Sequence, residues 1–209
     1  MEIASEPDMW AFERKAWNKG FSFIAGVDEV GRGPLAGPVV SAAVILPESF
    51  PDTGITDSKK LSSKKRDLYF SIICDHAVTI GIGIVDSAEI DQVNILQASL
   101  FSMGIAVNNL HPAPDFLLID GIFQIPSDIP QKTIKKGDSL SISIASASII
   151  AKVTRDRLME KYHRQYPLFA FNKHKGYPTK SHREAIRKHG SCPIHRKTFK
   201  GVREYLNTV

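Results

Sequence analysis

The chain has 209 residues, of which 43% are hydrophobic and 23% charged, proportions of a soluble globular domain that exclude disorder, collagen and coiled coil as global descriptions. Its longest apolar stretch, residues 39–46, is broken by Ser41 and too short to span a bilayer, and the acidic N-terminus lacks the apolar core of a secretory signal. The net charge of +5 is unevenly spread: residues 1–149 carry 12 Lys and Arg against 18 Asp and Glu, whereas residues 150–209 carry 15 against 4, a basic segment that suits a polyanion such as nucleic acid or, equally, a plain solvated face.

Residues 8–19 can form a short helix with Trp10, Phe12 and Trp17 turned inward. Residues 21–30 read as a strand, broken by Gly31, Gly33, Pro34, Gly37 and Pro38. A second strand, over 39–46, is expected to pair antiparallel with it. A helix is predicted over 62–77, with Leu68, Ile72 and Cys74 or Asp75 on one face, and a third strand over 78–85. Residues 95–110 suit a helix with Leu96, Leu100, Met103 and Val107 on one stripe. The run 116–119 is closed by Asp120 and Gly121, the pattern of a strand buried on both faces. Residues 132–136 can add another strand. A long helix over 141–166 ends at Pro167, and a shorter basic helix over 179–189 ends at Gly190. This order indicates an α/β fold with a mixed sheet. The chain is read as one domain over 1–209, with roughly 160–209 forming a basic helical C-terminal part.

Several carboxylates stand where burial rules call for hydrocarbon. Asp28 shares the strand face of Ile24, Gly26 and Val30, and Glu29 follows it directly. Asp120 closes the apolar run before it. Asp156 continues the helical stripe of Ile142, Ala145, Ile149 and Val153. A carboxylate in apolar surroundings must be neutralised, paired or bound to metal. If these acids converge, their repulsion calls for a cation, and oxygen-only ligands favour magnesium or manganese. Each acid alone could be a turn residue, a cap or an ion-pair partner; Arg155 and Arg157 adjoin Asp156. Alternation also points Asp28 and Glu29 to opposite faces, so both serve one site only if the strand ends, twists or bulges there.

Gly31-Arg32-Gly33 can bring a backbone close to a ligand, with Arg32 free for a phosphate. Ser58, Lys59 and Lys60 precede a helix, where phosphate binding and plain capping are both possible. Lys173 to Thr179 is a basic loop with one aromatic, Tyr177, suited to a sugar-phosphate backbone or to a core anchor. His195, Arg196 and Lys197 add positive charge near the end. Cys74 and Cys192 make no disulfide framework, and the histidines lack zinc-ligand spacing. A reduced, cytoplasmic protein is expected, a monomer by default.

The stretch from Ile24 to Val39, containing Asp28-Glu29-Val30-Gly31-Arg32-Gly33-Pro34, closely resembles the signature of type 2 ribonucleases H, specifically the bacterial ribonuclease HII family. The match continues at Asp57-Ser58-Lys59-Lys60-Leu61, Ile119-Asp120-Gly121, Ala147 to Asp156, His174-Lys175-Gly176-Tyr177 and His195-Arg196. It departs from the family at residues 121–125 and 167–171. The related ribonuclease HIII carries an extra N-terminal domain, and with only about two dozen residues before the first expected strand that type is disfavoured.

The resemblance implies a ribonuclease H-like mixed sheet flanked by helices, with a helical C-terminal extension. It implies an endonuclease acting on RNA–DNA hybrids and on ribonucleotides embedded in duplex DNA, leaving 5′-phosphate and 3′-hydroxyl ends. Asp28, Glu29, Asp120 and Asp156 would hold two magnesium or manganese ions about 4 Å apart. Gly31, Arg32 and Gly33 would read the 2′-hydroxyl, Tyr177 would pack on the sugar, and Ser58, Lys59 and Lys60 would meet a phosphate. Two other classes stay open on the residues alone: a non-catalytic nucleic-acid-binding module, and a phosphatase of small esters.

Overall fold

The computed structural model describes residues 8–51, 54–55 and 61–206. Ser58, Lys59 and Lys60, expected at a phosphate, lie outside the described residues. The apolar runs form strands β1 (Ile24–Val30), β2 (Val39–Ile45), β3 (Thr79–Val85), β4 (Phe116–Asp120) and β5 (Gln131–Ile134). They build one sheet in the order β3-β2-β1-β4-β5. The expected hairpin is present, with β2 antiparallel to β1 and β3. β4 runs parallel to both β1 and β5, which makes the sheet mixed.

Helices α1 (Ala11–Trp17), α2 (Ser63–His76), α3 (Ser87–Val93), α4 (Ile95–Asn108), α5 (Ile142–Gln165), α6 (Phe171–His174) and α7 (Lys180–His189) surround the sheet. Strand alternation sorts the core into two layers. Ala42 and Val44 pack against Ala145 and Ile149 of α5 and Ile73 of α2. Ala43, Ile45 and Val27 pack against Met103, Ala106 and Val107 of α4 on the other face. A third cluster joins Leu35 and Met159 to Phe169, Phe171, Ile186 and Ile194 of the C-terminal part. No helix among the described residues is long and apolar enough to cross a membrane.

The differences from expectation have local causes. β1 starts at Ile24, not residue 21, because the Asp115 carboxylate accepts the N–H groups of Ser22 at 2.7 Å and Phe23 at 2.9 Å, which a strand partner would otherwise take. On α2 the buried residue is Ile73, while Leu68 is 57% exposed, so the predicted face was rotated. Helix α3, unforeseen, is capped by Asp86, whose carboxylate accepts from Glu89 N–H; seven residues are too few to show a clear period.

Two contacts set the position of α5. A Cβ at Gly26 of β1 would fall 2.1 Å from the carbonyl carbon of Ser143, so only glycine lets the helix start this close to the strand. Glu13 of α1, 1% exposed, accepts from Ser141 Oγ at 2.5 Å and Ser143 N–H at 3.1 Å. It thereby satisfies the N-terminus of α5, where a negative group is favoured. Burial pushes its carboxyl up, against the pull of the Ser141 hydroxyl. Glu13→Ala leaves two buried donors without an acceptor and is expected to destabilise the fold by about 1–3 kcal/mol in urea denaturation. Glu13→Gln, which keeps Oε1, should cost less.

Candidate active site

Three of the expected acids meet where the central strands end. β4 flanks β1 only from Ile24 to Val27, whereas the β1–β2 ladder continues unbroken through Asp28↔Ala42 and Glu29↔Ser41. Asp28 faces α5 and is hydrogen-bonded by Ser148. Glu29 faces α4 and lines a groove of about 230 Å³ with Leu96, Leu100, Met103 and Asp120. No bulge is required. Among the described residues no strand covers β1 on its β4 side beyond Val27, so the two side chains close around that edge toward Asp120, the last residue of β4. One oxygen from each of Asp28, Glu29 and Asp120 lies within 4.8 Å of the others.

The electrostatics are those of crowded acids. Asp28 is 4% exposed. Burial first, then the charges of Glu29 and Asp120, push its carboxyl well above the ordinary range, against hydrogen bonds from Ser148 and the Glu29 N–H. Burial also raises Glu29, which Arg32, 3.3 Å away, pulls back down. Asp120 Oδ1 accepts from Gly137 N–H at 2.6 Å. An all-oxygen set with surplus negative charge fits a hard divalent cation.

Asp156 stands apart from these three. It lies eight residues beyond Ser148 on α5, about 12 Å along the helix axis. It pairs with neither of the adjacent arginines, Arg155 and Arg157; Lys152 donates to it at 2.7 Å. Its stripe of Ile142, Ala145, Ile149 and Val153 is buried as predicted.

The Gly31–Gly33 loop beside the acids is held from beneath by two buried arginines. Arg196, fully buried, donates to the carbonyls of Gly31 at 2.5 Å, Arg32 at 2.9 Å and Gly37 at 2.9 and 3.0 Å. Arg155, also fully buried, donates to Ala36 at 3.1 Å and to Pro38 and Lys175 at 2.9 Å. Gly31 has φ +101°, and a Cβ there would lie 2.3 Å from Arg155 Nε, so both backbone and space demand glycine. Burial lowers Arg155 to about 10 and Arg196 to about 9, and both stay charged at neutral pH. Tyr177, 38% exposed, comes to the same place: a Cβ at Gly33 would sit 3.9 Å from its ring.

A family model described as Ribonuclease HII matches residues 25–202. The chain belongs to the ribonuclease HII family. It is 58% identical over 201 residues to a ribonuclease HII of Geobacter metallireducens, covering 96% of this chain and 94% of the relative. It is 60% identical over 189 residues to one of Syntrophus aciditrophicus, covering 90% and 89%. The solved ribonuclease H2 of Pyrococcus horikoshii superposes with a TM-score of 0.75 at 29% identity, covering 90% of this chain and 98% of that one. The fold is therefore ribonuclease H-like, and the chain is an enzyme of a metal-dependent endoribonuclease family.

The sequence leaves the roles of both arginines open, Arg155 as one possible partner of Asp156 and Arg196 as added positive charge near the end; both hold main-chain carbonyls inside the protein. Arg157 and Lys197 beside them are exposed, and charge counting does not separate adjacent residues. Arg196→Lys removes the planar fork that spans Gly31, Arg32 and Gly37, and is expected to cost about 2–3 kcal/mol in guanidinium unfolding.

The raised carboxyl of Asp28 gives a second expectation. Its contribution to stability is fully present below the unfolded-chain pKa and is lost as pH rises through the folded value. At neutral pH, above the unfolded-chain value, the carboxyl therefore opposes folding. Asp28→Asn should raise the midpoint of thermal unfolding at pH 7 in chelator-treated buffer by a few degrees. It should also shrink the further rise that divalent cation gives the unaltered protein, as read by calorimetry.

Proposed function

We propose that this enzyme hydrolyses the RNA strand of RNA–DNA hybrids and cuts on the 5′ side of ribonucleotides embedded in duplex DNA, leaving 5′-phosphate and 3′-hydroxyl ends. The observation that carries the reading is the convergence of Asp28, Glu29 and Asp120 within 4.8 Å, next to a loop and an exposed tyrosine that can read a sugar. These three acids would hold magnesium or manganese; a fourth-ligand role for Asp156, which stands apart from them and is bonded to Lys152, rests on the resemblance alone. Two such ions, when bound, supply positive charge at the scissile phosphate and make water more acidic, which is the chemistry of phosphodiester hydrolysis.

The protein's own groups do the rest. Ser148 and the Glu29 N–H orient the Asp28 carboxylate, and Gly137 N–H orients Asp120, so the acids face the substrate already aligned. Arg196 fixes Gly31 and Arg32 where they can meet the 2′-hydroxyl, the group that separates RNA from DNA. Tyr177, beside Gly33, would pack on the sugar of that nucleotide. The exposed Lys180, Arg183, Arg187 and Lys188 of α7, whose buried side carries His182 and Ile186, would meet backbone phosphates and make binding weaken with salt. A phosphate contact from Ser58, Lys59 and Lys60 rests on the resemblance alone.

The test is a gel assay on end-labelled duplex DNA containing one ribonucleotide, with magnesium, manganese or chelator and an all-DNA control. A single cut 5′ of the ribonucleotide is expected, abolished by chelator and slowed about a thousandfold by Asp28→Asn. Cleavage of a long hybrid alone would remove the junction-reading role of Gly31, Arg32 and Gly33. Tight binding of either substrate without cleavage would favour a binding module instead.

A further inference from the structure

Beneath Tyr177 two buried imidazoles form a hydrogen-bond chain whose polarity the backbone sets. Cys192 N–H donates to His195 Nδ1 at 2.9 Å, the shortest contact of a nitrogen that also lies 3.1 Å from Cys192 Sγ and 3.3 Å from the Cys192 carbonyl; the backbone N–H can only donate, so that nitrogen carries no proton. His182 Nδ1 lies 3.0 Å from the Tyr177 carbonyl, which can only accept and which also accepts from Thr179 N–H at 2.8 Å, so that nitrogen carries a proton. The two Nε2 atoms are 3.1 Å apart and must share one proton. Neutral rings satisfy all three contacts in a single way, with His195 Nε2–H donating to His182 Nε2. A further proton on His195 would confront the Cys192 N–H, and one on His182 would confront His195. Both rings are within 1% of full burial, and burial drives them down to about 4 and about 3, so both are neutral at pH 7.

The chain ends on a segment whose other main-chain groups are also held. The Lys175 carbonyl accepts from Arg155. Gly176 N–H donates to His174 Nδ1 at 3.2 Å, and the Gly176 carbonyl accepts from Leu35 N–H at 2.8 Å. The His174 ring stacks on His182 with centroids 4.3 Å apart. The hydrogen bonds all grip backbone, while the Tyr177 side chain stays exposed beside Gly33. That is the arrangement of a contact residue ordered before its ligand arrives, which avoids paying ordering entropy on binding.

We propose that His182, oriented by His195, is a positioning residue: it holds the Tyr177 carbonyl so that the tyrosine ring stands against Gly33, where the nucleotide bearing the 2′-hydroxyl is read. The proposal rests on the reading of Tyr177 as a substrate contact. Two measurements test it. Nitrogen-15 spectra of the full chain at pH 7 should show His182 protonated at Nδ1 and His195 at Nε2; the opposite tautomers, or a charged ring, would overturn it. In cleavage of duplex with one ribonucleotide, His182→Ala should lower kcat/KM about tenfold. His182→Asn, whose amide can donate to the same carbonyl, should recover most of that loss. In a Tyr177→Ala background, His182→Ala should cost less than about twofold further. Equal losses from Ala and Asn, or an undiminished loss in the Tyr177→Ala background, would make His182 a mere packing residue and sink the proposal. Unaltered protein that leaves the ribonucleotide uncut would overturn the functional reading instead, and the spectra would still decide the hydrogen-bond chain.

Discussion

Two guanidinium groups buried under the loop after β1 hold together parts of the chain that lie far apart in sequence. Arg155 comes from the long helix α5 and Arg196 from the C-terminal segment, yet both spend their donors on carbonyls between Gly31 and Pro38, with Lys175 added. Burying a charge costs several kcal/mol after relaxation. The cost is tolerable here because each planar fork meets several carbonyls at hydrogen-bond distance, and charge-assisted bonds are stronger than neutral ones. The same bonds tie the loop after β1, the loop carrying Tyr177 and the end of the chain into one rigid unit. The acids, the Gly31–Gly33 loop and Tyr177 keep their mutual geometry as long as that unit holds.

The acid cluster works in the opposite sense. Asp28, Glu29 and Asp120 repel one another in a poorly solvated place, and the raised pKa values of the first two record that cost. The rest of the fold offsets it: well-packed layers on both faces of the sheet, and Glu13 satisfying the start of α5. Local strain against a stable surround is the expected pattern where function overrides folding rules. The arrangement also explains why consecutive acids on β1 can serve one site. A strand that outlasts its parallel neighbour exposes an edge, and side chains from both of its faces can reach around that edge.

The C-terminal part answers the question of its charge in two ways. Its buried side is aromatic and imidazole-rich, with Phe169 and Phe171 in one cluster with Leu35 and Met159 and with the His182 and His195 rings against those phenylalanines. Its outer side, on α7, is lysine and arginine. The basic count in the sequence therefore mixes two populations, one that holds the fold and one that faces solvent, and nucleic acid on the reading proposed.

The local features of the chain follow short-range rules. Most strand and helix positions, the antiparallel hairpin, the mixed sheet and the anomalous placing of Asp28, Asp120 and Asp156 were legible from periodicity and burial logic, whereas the short helix α3 was not. So was the family, because the stretch around Asp28 to Pro34 is long and specific. Tertiary structure decided what depends on partners distant in the chain. The face of α2 was set by which residues meet α5, not by its own weak period. The meeting of Glu29 with Asp28 depended on where β4 stops. The roles of Arg155, Arg196, His182 and His195 depended on carbonyls and rings brought from elsewhere. A side chain's charge is written in the sequence; whether water, a carboxylate or a backbone carbonyl receives it is a matter of three-dimensional distance.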